Sequence, residues 1–377
     1  MKKQLTILLL FFFSCPSAWS QDRYIKTTTP CNDELLKNTP GRWMHARENF
    51  RAKISKQQQQ EIVKRLNSIH QWTYDIYPSP LAFDAQPYSA TADIAFASRL
   101  KTEYTQYGFH KSPEGGTPVI YYDYVAQFCD YNCGRDKYEI IRGAGCEGGT
   151  CVFVLCNNLS SIFLPLTLND FYAEIMRIDE RPIQMIREIR KEKWKGYNVY
   201  DGGGDIMVLL HREDMLPYIP VTRKQYLDRS IACLQRMFDN NIKAVENPEG
   251  LNLLTDKKER DEQIKKLEKH RDNVLKYYRD EMEATTNAGL IDSPAIVPED
   301  VLEQRTDSPI FTTIEKGGKQ LVTENPSYIK KDLPTYVPQV IIYILVYSDD
   351  SLGPEINPYR LYEQNFPIEK LQAMIDK

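Results

Sequence analysis

Five cysteines fall within 28 residues, Cys129, Cys133, Cys146, Cys151 and Cys156, and no other feature restricts the fold of this chain as strongly. What they can do depends on the compartment, and the first 20 residues address that. Lys2 and Lys3 form a basic start. Leu5 to Phe13 form an apolar core too short to span a bilayer, and Ala18-Trp19-Ser20 place small residues where a signal peptidase reads. Residues 1–20 therefore read as a signal peptide cleaved before Gln21. Phe12-Phe13-Ser14-Cys15 lacks the usual leucine of a lipoprotein box and is followed by Pro16, which argues against a lipid anchor. The expected location is periplasmic or extracellular. In such an oxidising setting a cysteine cluster is first of all a disulfide framework. The spacings C-x3-C, C-x12-C, C-x4-C and C-x4-C are not the paired C-x2-C knuckles of structural zinc. Cys31 joins the cluster as a sixth candidate, with the pairing left open. Cys233 is then the odd cysteine; beside Ile231 and Leu234 it reads as a small, reduced, buried apolar residue.

Periodicity gives the fold class, α+β. Ser55 and Gln58 form a capping box ahead of Ile62, Leu66, Ile69, Thr73 and Ile76 at helical spacing. A weaker helix is predicted over 91–107. From Thr117 the pattern turns β-branched and aromatic, and an antiparallel meander stapled by the cysteines is expected, with strands near 119–125, 137–141 and 150–155. Segments 197–200 and 206–211 flank Asp201-Gly202-Gly203-Gly204-Asp205 as a hairpin, and 216–220 is expected as the next strand. Thr222 and Gln225 cap a second helix with Leu227, Ile231, Leu234 and Phe238 inward. Asp256 opens a third, highly charged helix with a narrow coiled-coil-like seam of Ile264, Leu267, Val274 and Tyr278. The chain thus divides into the signal peptide (1–20), an N-terminal α+β part (21–221), an inserted antiparallel helical hairpin (222–286), a proline-containing linker (287–309) and C-terminal strands with a closing helix that complete the α+β domain (310–377). In that last part 311–314 and 320–323 are expected to form a hairpin around Gly317-Gly318, and Val340 to Tyr347 a buried strand. No segment after the signal is long and apolar enough to cross a membrane.

The motifs for common chemistries are missing. H-E-x-x-H, G-x-S-x-G, the P-loop and S-x-x-K do not occur, so no catalytic residue, metal or cofactor is assigned. The formal charge of -4, or -6 once Lys2 and Lys3 leave with the signal, comes with no basic arm or face, which excludes phosphate-driven nucleic-acid binding. Two weaker constellations remain, His211-Arg212-Glu213-Asp214 as a polar turn and Asp201/Asp205 as a poor calcium loop. Aromatic residues supply the binding candidates. Tyr122 and Tyr124 lie on one face of a strand, and Trp194, Tyr197 and Tyr200 cluster in sequence; such faces stack on sugars, fill protein interfaces or pack into cores.

Asn38-Thr39-Pro40-Gly41-Arg42-Trp43, the stretch Leu216 to Leu227, Asn325-Pro326-Ser327-Tyr328 with Leu333-Pro334, and Phe366 to Leu371 together resemble a group of uncharacterised secreted and envelope proteins of Bacteroidota-type bacteria. The resemblance implies an exported envelope protein and carries over no activity or catalytic residue. The expected function is an exported, non-catalytic protein that binds an envelope glycan, peptide or protein; the alternative is an envelope hydrolase with a non-sequential His/carboxylate site. N-terminal sequencing of the exported protein should begin at Gln21; a chain that keeps Met1 in the cytoplasm would overturn the export reading.

Overall fold

The structure is a computed structural model that describes residues 24–50, 54–92, 119–145, 149–164, 177–178, 181–246, 256–298, 309–347 and 356–377. The signal segment and Cys146 lie outside them. In chain order the elements are β1 (Tyr24–Lys26), α1 (Asp33–Lys37), β2 (Arg42–Trp43), β3 (Arg47–Phe50), α2 (Lys56–Ile76), β4 (Phe83–Ala92), β5 (Tyr121–Cys133), β6 (Glu139–Gly145), β7 (Cys151–Cys156), β8 (Phe163–Leu164), β9 (Arg177–Ile178), β10 (Arg181–Pro182), β11 (Gln184–Ile186), β12 (Val199–Gly202), β13 (Asp205–Leu210) and β14 (Tyr218–Pro220). Then follow α3 (Arg223–Glu246), α4 (Lys257–Asn287), β15 (Ile296–Val297), β16 (Lys319–Glu324), β17 (Ile341–Val346), α5 (Pro358–Asn365) and α6 (Ile368–Gln372). The α+β class with antiparallel sheets holds. Among the described residues no helix is long and apolar enough to cross a membrane.

The chain forms two compact units: residues 1–160, 189–212 and 330–377 make the first, and 161–188 with 213–329 the second. The first unit is built on a sheet of ten strands that runs β1-β6-β5-β7-β17-β13-β12, with β4 also on β5 and with β2 and β3 on β4. Among the described residues only the β2 and β3 pairs with β4 are parallel. The Ser55–Gln58 box forms as expected: the Ser55 amide donates to Gln58 Oε1 (2.8 Å) and the Gln58 amide to Ser55 Oγ (3.2 Å). The capped helix α2 lays Ile62, Leu66 and Ile69 into a core with Tyr124, Phe128, Val154 and Tyr343 of the sheet. Burying each of those aliphatic side chains contributes roughly 1.5–3 kcal/mol. Helices α5 and α6 add Tyr362, Ile368 and Leu371 to the same core, and Tyr362 Oη donates to the Thr73 carbonyl of α2 (2.7 Å).

Strand β4 was not expected. Thr91 and Ala92, read as the start of a helix, end this strand instead, and 93–107 lie outside the described residues. Pro87 masks the strand in the sequence because proline offers no ladder donor. The Met44 amide donates to the Ala85 carbonyl (2.8 Å), so by alternation Pro87 also turns its nitrogen toward the β2/β3 side. There it falls between the two short parallel partners, and Gln86 Nε2 reaches the His45 carbonyl across the gap (2.9 Å). Nearby, Gly41 cannot be replaced: a Cβ there would lie 1.6 Å from the Phe83 carbonyl oxygen.

Strand β17, residues 341–346, inserts between β7 and β13. Its approach is fixed by two buried amides. Asn157 donates to the carbonyls of Ile120 (3.0 Å) and Val337 (3.2 Å), and its Oδ1 accepts the Gln339 amide (2.8 Å). Gln339 in turn pairs both ways with the Lys330 backbone.

The second unit carries the sheet β14-β16-β11-β8, with β15 on β16. The expected hairpin of 311–314 with 320–323 does not form. Residues 314–316 make a 3-10 turn closed by Gly317 at φ 79°, and β16 takes its partners from β14, β11 and β15. Within 287–309, Ile296 and Val297 pair with β16, and Ala295 and Val297 are buried. The Thr222–Gln225 box caps α3 through both expected bonds, and Asp256 caps α4 by accepting the Lys258 amide. Asp239 meets Arg271 (3.5 Å) and Phe238 meets His270, while Tyr226 near the start of α3 hydrogen-bonds Tyr278 further along α4, so α3 and α4 run antiparallel. The buried residues of α4 are Val274, Leu275, Tyr278 and Thr285. Ile264 and Leu267, expected in the seam, are only half-buried, because the core that also holds Met185, Val297 and Leu321 reaches α4 at Val274, Leu275 and Tyr278 and not at these two. Urea melts should show a loss of about 2–5 kcal/mol for Leu275→Ala, less than half of that for Leu267→Ala, and within about 0.5 kcal/mol of zero for the exposed Lys265→Ala.

Candidate functional site

The aromatic candidates do not form a surface. Tyr122 and Tyr124 do share a face of β5, but it is the core face, and they are 0% and 1% exposed; Tyr200 is 3% exposed. Trp194 and Tyr197 bracket a tight turn through mutual backbone hydrogen bonds. The Trp194 ring stacks on buried Tyr343 at 5.4 Å, and its Nε1 donates to the Glu363 carbonyl (3.0 Å). The physical reason is that the sheet is buried on both faces: Ile341, Tyr343 and Leu345 on one side of β17 and Ile342 and Ile344 on the other are all 0–5% exposed. Alternation along a strand then exposes neither set.

The cysteines divide. Cys31 and Cys133 are bonded, with Cα atoms 5.6 Å apart, and Cys129 is also disulfide-bonded. Cys151 and Cys156, counted above as framework candidates, are free thiols, as is Cys233. The strand explains the correction. Cys151 and Cys156 sit five residues apart on β7, roughly 16 Å along it and on opposite faces. Their cross-strand partners are Gln127 and Val346, and Tyr122 and Ile341. Burial pushes both thiols up to about 12 and that of Cys233 up to about 11, which leaves them unreactive.

The polar candidates serve the fold. Asp201 Oδ1 accepts from the Gly203 amide (3.2 Å) and Arg190 Nη2 (3.1 Å), while Asp205 Oδ1 accepts from the Tyr347 amide (2.9 Å). Gly203 and Gly204 supply the positive φ values, 76° and 129°, that this hairpin turn requires. The carboxylates thus close a turn. Among the described residues no group of three His, Cys, Asp or Glu side chains could hold a metal ion. His211 is packed at the end of β13, where its carbonyl accepts Gln372 Nε2 (2.8 Å). His70 has more chemical interest. Its Nδ1 lies 3.0 Å from Tyr124 Oη, and its ring packs edge-on against Trp43 at 5.5 Å. Burial lowers its pKa and raises that of Tyr124 far above the usual tyrosine range.

A shallow, open groove follows the outer side of α2, its lining, Lys56, Gln59, Gln60, Val63, Lys64 and Asn67, drawn from that one helix. These positions also recur at helical spacing, rotated by roughly 120° from the buried stripe. The rigid core beneath Ile62, Leu66 and Ile69 therefore fixes the groove. Its lining offers primary amides, which both donate and accept, and ammonium groups, which only donate. The glutamines read in the sequence only as a short polar run; the one available signal was that polar residues at three- and four-residue spacing leave a helix face with no apolar partner. No protein-family model, curated protein or solved structure matches the chain.

Two titrating groups set the acid response of this unit in opposite senses. The pKa of His70 is depressed on folding, so the unfolded state binds more protons below pH ~6.5 and stability falls as pH drops through that point. Burial raises Asp130 from 3.8 to about 6, so the folded state binds more protons between those values and stability falls as pH rises through them. Asp130→Asn should stabilise at pH 7 and give no gain at pH 3.5, whereas His70→Gln should reduce the loss seen between pH 7 and pH 5. Urea midpoints across that range, for both variants and the parent chain, check the two signs.

Proposed function

We propose that this is an exported, non-catalytic protein of the periplasm or cell exterior that binds an extended ligand along α2. The groove is the observation that carries the reading. It lies on a rigid helix and presents several hydrogen-bonding side chains in one line. The Cys31–Cys133 bond supports an oxidising compartment. An open, amide-lined trough suits a hydroxyl-rich polymer such as a glycan, whose alternating donors and acceptors the carboxamides match, better than a small apolar molecule. A second reading, an envelope hydrolase, has one observation in its favour: the half-buried His70 beside Tyr124, a neutral imidazole of the kind used as a general base.

Calorimetry of the purified exported chain against soluble polysaccharides should show binding without release of new reducing ends. Gln59→Ala and Asn67→Ala should each weaken it by roughly 2–10-fold, the value of one or two hydrogen bonds, and His70→Gln should leave it unchanged. Ligand cleavage that disappears in His70→Gln would overturn the binding reading in favour of the hydrolase.

A further inference from the structure

Cys31 and Cys133 close a loop of the chain in which Cys129 is the only other cysteine. Cys129 is itself bonded, and Cys151, Cys156 and Cys233 are free. The bond of Cys129 therefore leaves the loop, and the two disulfides interlace. Outside the loop two cysteines are unaccounted for, Cys15 and Cys146, and either one gives the interlaced pattern. Cys15 belongs to the segment read as the signal. Cys146 is the partner that the sheet favours: Asp130 stands opposite Gly145 in the antiparallel ladder of β5 and β6, and one step further the sequence offers Cys129 and Cys146.

Chain statistics disfavour such a pattern. A chain that crosses a membrane from its N-terminus presents Cys31, then Cys129 and only afterwards Cys133, so the first partner that Cys31 meets is a wrong one. Loop closure does not separate Cys129 from Cys133, which lie almost equally far from Cys31 along the chain. A bond between Cys133 and Cys146 closes a loop roughly eight times shorter than the separation of 102 between Cys31 and Cys133, which favours it about 20-fold in the unfolded chain. Cys151 and Cys156 add still shorter wrong loops before folding, and they cannot correct an error after it. Exchange needs a thiolate that reaches the bonded sulfur, and on β7 both thiols are held protonated by burial, as is Cys233.

We propose that this chain is a substrate of a thiol–disulfide isomerase, a protein with a reduced and reactive cysteine at its own active site, and that the mature pairing is the product of disulfide exchange and not of oxidation alone. In oxidation two thiols give up two electrons and two protons, and a disulfide of the oxidant takes them up as a dithiol. In the exchange the isomerase thiolate attacks the Cys31 sulfur of a wrong Cys31–Cys129 bond, forms a mixed disulfide and releases Cys129 as a thiolate. The Cys133 thiolate then attacks the same Cys31 sulfur and expels the isomerase thiolate, with no net transfer of electrons. Cys129 is left to be oxidised with Cys146. The exported reading enters only as the place where the partner is met, and the ligand of the groove does not enter at all.

The test starts from the full exported chain, reduced and unfolded in urea. It is diluted into oxidised glutathione alone, or into a glutathione redox pair with a purified disulfide isomerase, and the bonds are mapped by mass spectrometry under non-reducing conditions. Oxidant alone should leave Cys31–Cys133 and Cys129–Cys146 together in a minority of chains, and the isomerase should raise that share by about 5-fold or more, in line with the loop-closure bias. Replacing both Cys151→Ser and Cys156→Ser should raise the oxidant-only share by about 2-fold, because two competing thiols are gone, without removing the gain from the isomerase. A second measurement does not depend on refolding: an isomerase whose second active-site cysteine is replaced by alanine should capture the newly exported chain as a mixed disulfide that a reductant releases. Equal shares and rates with and without the isomerase, no captured chain, or a map of the exported protein in which Cys129 pairs with Cys31 or Cys133 would each overturn the inference. None of these outcomes bears on the groove, which is tested by ligand binding to the folded chain.

Discussion

The first unit depends on where β17 goes. Residues 341–346 form one of its last segments, yet they occupy an interior position between β7 and β13. Two insertions, 161–188 and 213–329, separate the strands that must meet. The backbone groups of β7 and β13 that face this slot are satisfied only when β17 arrives, and an unpaired buried backbone group is costly. The Asn157–Gln339 pair sets its register at the entrance: Asn157 holds Ile120, Val337 and Gln339 at once, from a left-handed backbone position at φ 60° that asparagine tolerates better than most residues. Such long-range closure makes for slow folding.

Burial on both sides of that sheet leaves its aromatic residues no exposed face. Tyrosines that would otherwise serve as platforms are drawn inward, Tyr122, Tyr124, Tyr343 and Tyr362 among them, each at most 1% exposed. Two of these rings tie α2 to the core, Tyr362 by donating to the Thr73 carbonyl (2.7 Å) and Tyr124 through the contact of its Oη with His70 Nδ1 (3.0 Å). In this unit the solvent side of α2 is a polar track of carboxamides and lysines; in the second unit the solvent side of α4 is a charged surface with pairs such as Lys276–Asp280. Paired charges on a helix add little to recognition because each is already compensated.

The stretches around Gly41, Trp43, Tyr328 and Phe366 to Leu371 serve as packing devices. Gly41 allows the close approach to Phe83, Trp43 wedges between His70 and Phe128, Tyr328 is fully buried, and Phe366 and Leu371 close the core beneath the sheet. Their residue types are restricted because neighbouring atoms leave no room, a reason that needs no ligand.

The sequence by itself determined whatever a few neighbouring residues can satisfy. The boxes Ser55–Gln58 and Thr222–Gln225, the cap at Asp256, the glycine turn between Asp201 and Asp205, the apolar stripe of α2 and the buried, reduced state of Cys233 all follow from local hydrogen bonds and periodicity, and they stand in the structure as read. The tertiary structure decided what depends on partners distant in sequence. Cys31 bonds with Cys133 while Cys151 and Cys156 stay free, because strand register, not spacing, brings sulfur atoms together. Strand β4 forms through a proline, and β15 forms within a stretch that reads as linker, because each finds a partner edge that no local pattern announces. Tyr122 and Tyr124 are core and not surface because a strand's alternation says which residues share a face, and only the complete fold says what covers it.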